Sequence, residues 1–75
     1  MEIITKKAIK NYVTSGAARD ITNISLEEAY TIGRKTTVIA LSRGTYGMTG
    51  AILKNYETGE LYAITTRNTI LFAIV

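Results

Sequence analysis

The final eight residues of the chain, NTILFAIV, contain no charged side chain. As a strand over residues 69–75, this segment is apolar on both faces, because successive side chains of a strand point to opposite sides. An exposed strand of this kind promotes aggregation, so both of its faces need cover. We expect helices of the same chain to cover one face and a second subunit to cover the other. The residues expected at that subunit interface are Leu71, Ala73 and Val75.

Two turn signals divide the segment that leads to this strand. Glu57-Thr58-Gly59 ends in glycine, and Arg67-Asn68 contains an asparagine that tolerates the left-handed region. The stretch between these two turns, residues 60–66, is rich in β-branched and aromatic residues, which favour strands. Together with TTVIALS upstream, the pattern predicts four strands at about 36–42, 50–56, 60–66 and 69–75.

Two helices are predicted ahead of the strands. Apolar residues at helical spacing follow Thr5, a good N-cap, and predict a helix at about 6–14 that ends before Gly16. Ser25 with Glu28 matches the capping box and predicts a second helix at about 26–32. The residues between the helices are interpreted as a connector. The expected fold is α+β, with both helices on one face of a mostly antiparallel meander sheet.

At 75 residues the chain is expected to form a single domain with little stability to spare. It has no cysteine and no histidine, which excludes disulfides, thiolate chemistry and the commonest general base. Its six acidic residues show no spacing typical of a carboxylate pair or a metal site. We therefore predict no catalytic residues, no metal and no cofactor, and a protein that is not an enzyme. Without those supports, self-association as a dimer or larger oligomer is expected to supply stability.

The net charge of +3 is modest for a dedicated nucleic-acid binder of this size. No apolar run approaches the length of a membrane span or a signal sequence. We expect a cytoplasmic protein that does not bind membranes.

The glycine-rich segment from Arg43 to Gly50, RGTYGMTG, has two interpretations. Its backbone N–H groups can hold a small anionic ligand such as a nucleotide. Alternatively, the glycines mark a bulged or kinked strand, which we favour because a strand-like run follows and no phosphate-binding fingerprint is present.

A small binding patch is predicted where this segment meets the Arg67-Asn68 turn. In a meander, both lie at the same end of the sheet, so basic and aromatic side chains gather there. Arginine and tyrosine together suit an anionic ligand or an acidic partner surface. The residues assigned to this patch are Arg43, Tyr46, Gly47, Gly50, Arg67 and Asn68.

Exposed basic residues on the two helices form a second candidate surface. These residues are Lys6, Lys7, Lys10, Arg34 and Lys35. A solvated helix face is the favoured interpretation, and phosphate contact with nucleic acid is the alternative.

The pieces YGMTG, LYAITTRN and ILF resemble short uncharacterised proteins of bacteria and their phages. That resemblance implies a compact accessory protein, free of cofactors, that occupies the surface of a host protein. We predict a small binding or regulatory protein that contacts an unknown protein partner, acting as a modulator or inhibitor. Binding to nucleic acid and capture of a small anion stay open as alternatives.

Overall fold

The computed structural model describes all residues from 1 to 75, and it confirms the α+β class. It contains five strands and three helices, whereas four strands and two helices are predicted from the sequence. In chain order these are β1 (Glu2–Ile3), α1 (Lys6–Thr14), β2 (Ala18–Asp20), α2 (Leu26–Gly33), β3 (Thr36–Gly44), β4 (Gly47–Asn55), β5 (Leu61–Ile64) and α3 (Thr69–Ile74).

The five strands form one mixed sheet in the order β1-β3-β4-β5-β2. Strand β1 is parallel to β3 and β2 is parallel to β5, while β4 runs antiparallel to both of its neighbours. The meander prediction is therefore correct only for β3, β4 and β5. The missed strands, β1 and β2, have two and three residues and form the two edges, where short strands limit pairing with other chains.

The helices lie on both faces of the sheet, so the prediction that they share one face is wrong. The connection β1–α1–β2 crosses from one edge of the sheet to the other, and β2–α2–β3 crosses back. Crossovers between parallel strands are right-handed in nearly all proteins, so two crossovers in opposite directions place their helices on opposite faces. The meander prediction missed this because β1 and β2 are too short to show a strand pattern.

Each face of the sheet carries its own apolar core. On one face, α1 packs through fully buried Ile9 against Ala40, Ile52 and Ala63. On the other face, α2 and α3 cover a larger cluster. Its buried members are Ile21, Ala29, Leu41, Ala51, Leu53, Tyr62, Ile64, Ile70 and Leu71.

Helices α1 and α2 begin at side-chain caps. The Thr5 hydroxyl accepts a hydrogen bond from the N–H of Ala8 at 3.0 Å, and Ser25 accepts one from Glu28 at 3.1 Å. These bonds satisfy N–H groups that have no partner within the helix. No helix of the structure is long and apolar enough to cross a membrane.

The C-terminal segment is helix α3, so the strand predicted at 69–75 is wrong. Asn68 caps this helix by accepting a hydrogen bond from the N–H of Leu71 at 3.0 Å. An apolar run without alternation fits a buried strand and a buried helix equally well, and here the cap and the cover it gives the sheet favour the helix.

This correction changes the predicted subunit interface. Leu71 is fully buried within its own subunit and cannot contact another one. Ala73 is half-buried, and Val75 is 38% exposed. The segment no longer requires a second subunit on an outer strand face, because α3 itself covers the sheet.

Candidate functional site

The carboxyl ends of β1, β2, β3 and β5 all lie at one end of the sheet, because these four strands are mutually parallel. We call this the carboxyl end. In open sheets with helices on both faces, ligands bind outside the carboxyl ends of the strands. The β3–β4 hairpin and the loop from β5 to α3 both lie there, and they carry most of the predicted binding residues.

The glycine-rich segment forms the tip of the β3–β4 hairpin. Gly44 pairs with Gly47, which leaves Thr45 and Tyr46 as the two turn residues. Gly47 has a φ of +110°, a conformation that side-chain-bearing residues rarely adopt. Tyr46 is 86% exposed, the highest value among the large apolar residues.

A bulge below the tip shifts the register of the two strands. Ser42 pairs with Gly50 and Arg43 pairs with Met48, so Thr49 has no partner across the hairpin. The hydroxyls of Ser42 and Thr49 share a hydrogen bond of 2.7 Å. Of the two interpretations of this segment, the bulged strand describes the backbone.

Arg67 ties the hairpin to the loop before α3. Its Nε–H donates to the carbonyl oxygen of Met48 at 3.1 Å. Arg43 pairs with Met48, so their side chains leave the same face of the hairpin, the face where Met48 packs against the core beneath α2 and α3. We define the hairpin-tip surface as the exposed residues Arg43, Tyr46, Gly47 and Arg67.

Two of the predicted patch residues have structural roles instead. Gly50 is buried, and a Cβ added to it would lie 2.7 Å from the carbonyl oxygen of Ile64. Both polar atoms of the Asn68 side chain are hydrogen-bonded. Its Oδ1 accepts from the N–H of Leu71 and so caps α3, and its Nδ2 donates to the carbonyl oxygen of Thr22 at 3.0 Å. Neither residue belongs to the hairpin-tip surface.

A polar cluster under the β5–α3 loop was not identified from the sequence. The hydroxyl of Thr22 donates to Asp20, and it accepts a hydrogen bond from the N–H of Thr65 at 2.9 Å. Thr22 is only 8% exposed, so these bonds form where water competes weakly. The cluster fixes the position of the loop that carries Arg67. It brings together residues far apart in the chain, and no local pattern signals that.

The basic residues predicted to contact nucleic acid do not form one surface. Helix α1 begins just after β1, and the N–H of Ile4 bonds to the carbonyl oxygen of Leu41, so Lys6 and Lys7 lie at the carboxyl end. Lys10 lies one turn further along α1. Arg34 and Lys35 directly precede β3 and therefore lie at the opposite end of the sheet.

Among the titratable groups, Tyr62 has a distinct environment, and it lies away from the hairpin-tip surface. Its hydroxyl donates to Glu60 Oε1 at 2.7 Å. This bond to a carboxylate, with a further contribution from burial, raises the pKa of Tyr62 above its usual value, because both favour the neutral phenol.

The concave regions on the surface of the protein are open grooves. The largest, of about 430 Å³, lies between β2 and α2 and is lined by Arg19, Ser25, Glu27, Glu28, Thr31 and Ile32. No group of three or more acidic side chains is placed to hold a metal ion.

No protein-family model matches this sequence, and no curated protein or solved structure matches it either. The proposals that follow therefore depend on the sequence and geometry of this chain.

Proposed function

We propose that this protein is a non-enzymatic binding protein and that its hairpin-tip surface contacts a partner protein. The supporting observation is the 86% exposure of Tyr46 at the tip of a hairpin that Arg67 fastens to the β5–α3 loop. An aromatic side chain in that position is exposed to water in the folded protein. A partner pocket that covers it gains apolar contact area. Tyrosine and arginine are also among the residues most enriched where interfaces concentrate their binding energy.

The preferred partner surface is acidic. Arg43 pairs with Met48 across the hairpin, Arg67 donates to the Met48 carbonyl oxygen, and both arginines are exposed. Arginine binds carboxylates with two parallel hydrogen bonds, which gives orientation as well as affinity. Lys6 and Lys7 lie at the same end of the sheet and add to the attraction of an acidic surface.

The biological role that we attach to this surface is modulation or inhibition of a host protein. It follows from the resemblance to short proteins of bacteria and their phages, which act by covering a partner's surface. A hairpin tip held by the Arg67–Met48 hydrogen bond suits such a role, because a restrained surface needs little ordering when it binds.

Photo-crosslinking tests the proposal directly. A photoreactive phenylalanine analogue is placed at position 46, and in a matched control at position 56, where Tyr56 is also exposed, at 64%, but lies at the other end of β4. We expect a discrete protein adduct from position 46 that position 56 does not form and that Arg43→Glu abolishes. Identical adducts from both positions, or none from position 46, would count against the proposal.

Nucleic-acid binding is the second candidate, favoured by the placement of Lys6 and Lys7 at the same end as Arg43 and Arg67. Binding of this kind weakens steeply as salt is added, since it releases counterions from phosphates. Fluorescence anisotropy with labelled DNA and RNA separates the two candidates. It is measured between roughly 50 and 200 mM salt, a range over which affinity for nucleic acid falls strongly. Binding that falls steeply with salt, together with no protein adduct at position 46, would favour nucleic acid.

A further inference from the structure

Helices α2 and α3 together present an exposed apolar surface that the hairpin-tip surface does not include. Leu26 is 40% exposed, Tyr30 48% and Phe72 58%. A shallow groove of about 190 Å³ runs between the two helices beside Tyr30. Tyr30 adjoins this groove, and apolar exposure next to a groove is typical of interaction surfaces.

The two helices form one continuous layer. Both begin at the carboxyl end of the sheet, and their last turns meet where Gly33 faces Ile74. A Cβ added to Gly33 would lie 3.0 Å from the Ile74 Cγ2, so the glycine permits this close approach. Tyr30, Ala73 and Ile74 line the groove between them. We call this outer surface the α2–α3 face.

Charges at the two ends of α2 complement each other under a two-fold rotation. Glu27 lies in the first turn and Arg34 just after the last, seven residues apart and therefore on the same side, roughly 10 Å apart along the axis. Both are exposed, and Tyr30 lies about midway between them. When two copies of α2 pack antiparallel, each Glu27 faces Arg34 of the second copy, with the two Tyr30 rings at the centre.

We propose that the α2–α3 face is a two-fold interface between two copies of this chain. A two-fold interface must be complementary to itself, and a negative and a positive residue placed symmetrically about an apolar centre meet that condition. Antiparallel packing also opposes the two helix dipoles favourably. This surface replaces the outer strand face as the site of self-association, and it does not depend on the function proposed for the hairpin tip.

Charge reversal tests both the surface and its symmetry. Sedimentation velocity over a range of concentrations gives the dimer dissociation constant for wild type, Glu27→Arg, Arg34→Glu and the double variant. We expect each single reversal to raise that constant at least about tenfold, since it places like charges in contact twice per dimer. The double variant restores opposite charges and is expected to return to within about threefold of wild type.

Matched controls are Glu57→Arg and Lys54→Glu, which make the same charge changes at exposed positions outside the α2–α3 face. They should leave the dissociation constant unchanged, and far-ultraviolet circular dichroism should show that every variant is folded. A monomer at all concentrations would overturn the proposal. A dimer that tolerates the single reversals would also overturn it. Since no variant in this set alters the hairpin tip, the outcome is separate from that of the crosslinking experiment.

Discussion

The Nε–H of Arg67 donates a hydrogen bond to the carbonyl oxygen of Met48 at 3.1 Å, across 19 residues of sequence. This bond joins the loop before α3 to the β3–β4 hairpin, and it holds the Arg67 guanidinium near the hairpin tip, where a Cβ added to Gly47 would lie 4.0 Å from its Nη2. The hairpin tip is thus fastened by a residue that also belongs to the proposed binding surface.

Loss of this bond should loosen the hairpin. In Arg67→Ala we expect faster amide hydrogen exchange at the β3–β4 tip and a decrease of about 1 kcal/mol or less in the free energy of unfolding, because the bond is exposed to water. Arg43→Ala is the control, since it removes a neighbouring guanidinium and leaves the bond to Met48 in place. Equal exchange rates in Arg67→Ala and wild type would show that the bond does not restrain the tip.

Substitutions in α3 distinguish a helix from a strand. Leu71 is fully buried and Phe72 is 58% exposed. We expect Leu71→Ala to lower the free energy of unfolding by about 2–5 kcal/mol, through lost burial and a cavity. In the monomer, where Phe72 is exposed, Phe72→Ala should change it by less than about 1 kcal/mol. Urea denaturation measures both, and a larger loss for Phe72→Ala would contradict the helix.

Gly50 should not tolerate a side chain. A methyl group there would lie 2.7 Å from the carbonyl oxygen of Ile64, a backbone atom that cannot move aside cheaply. We expect Gly50→Ala to destabilise the fold by about 1–3 kcal/mol. In the comparison variant Gly44→Ala, the added methyl meets only the Thr49 Cγ2, at 3.0 Å, so the cost in urea denaturation should be smaller. Equal stabilities of Gly50→Ala and wild type would contradict the packing described for β4 and β5.

The Tyr62–Glu60 hydrogen bond should make stability depend on pH in the alkaline range. The pKa of Tyr62 is raised in the folded state, so its contribution is complete below the unfolded value of about 10 and is lost as pH rises through the folded value. At pH 7 we expect Tyr62→Phe to lower the free energy of unfolding by about 1 kcal/mol.

That difference between Tyr62→Phe and wild type should shrink as the pH rises beyond about 10. Urea denaturation at a series of pH values measures it, and the comparison with Tyr62→Phe cancels the titration of the lysines. Glu60→Gln keeps a hydrogen-bond acceptor but removes its charge, and should reduce the pH dependence. A difference that is constant across this range would contradict the assignment.

Local patterns in the sequence predicted those parts of the fold that local interactions determine. The N-caps at Thr5 and Ser25 each satisfy N–H groups three residues away, so four or five residues contain the whole signal. The β3–β4 pairing likewise follows from a glycine-bearing tip between two apolar runs.

Other parts depended on contacts that no short pattern contains. Strands β1 and β2 are defined only by pairing with β3 and β5, so the sequence did not reveal them. Without them, the crossovers and the second covered face were missed as well. For the candidate site, the sequence suggested that Arg43, Tyr46 and Arg67 meet at one end of the sheet, whereas burial of Gly50 and the capping role of Asn68 required the tertiary structure.

The most direct test of the proposed function is the affinity of the partner captured at position 46 for wild type and for Arg43→Glu. Arg43 makes the surface basic, and Lys54→Glu carries the same charge change on the far end of β4 as a control. Titration calorimetry should show at least about tenfold weaker binding for Arg43→Glu and little change for Lys54→Glu. Equal affinities of wild type and Arg43→Glu would contradict binding through the hairpin tip.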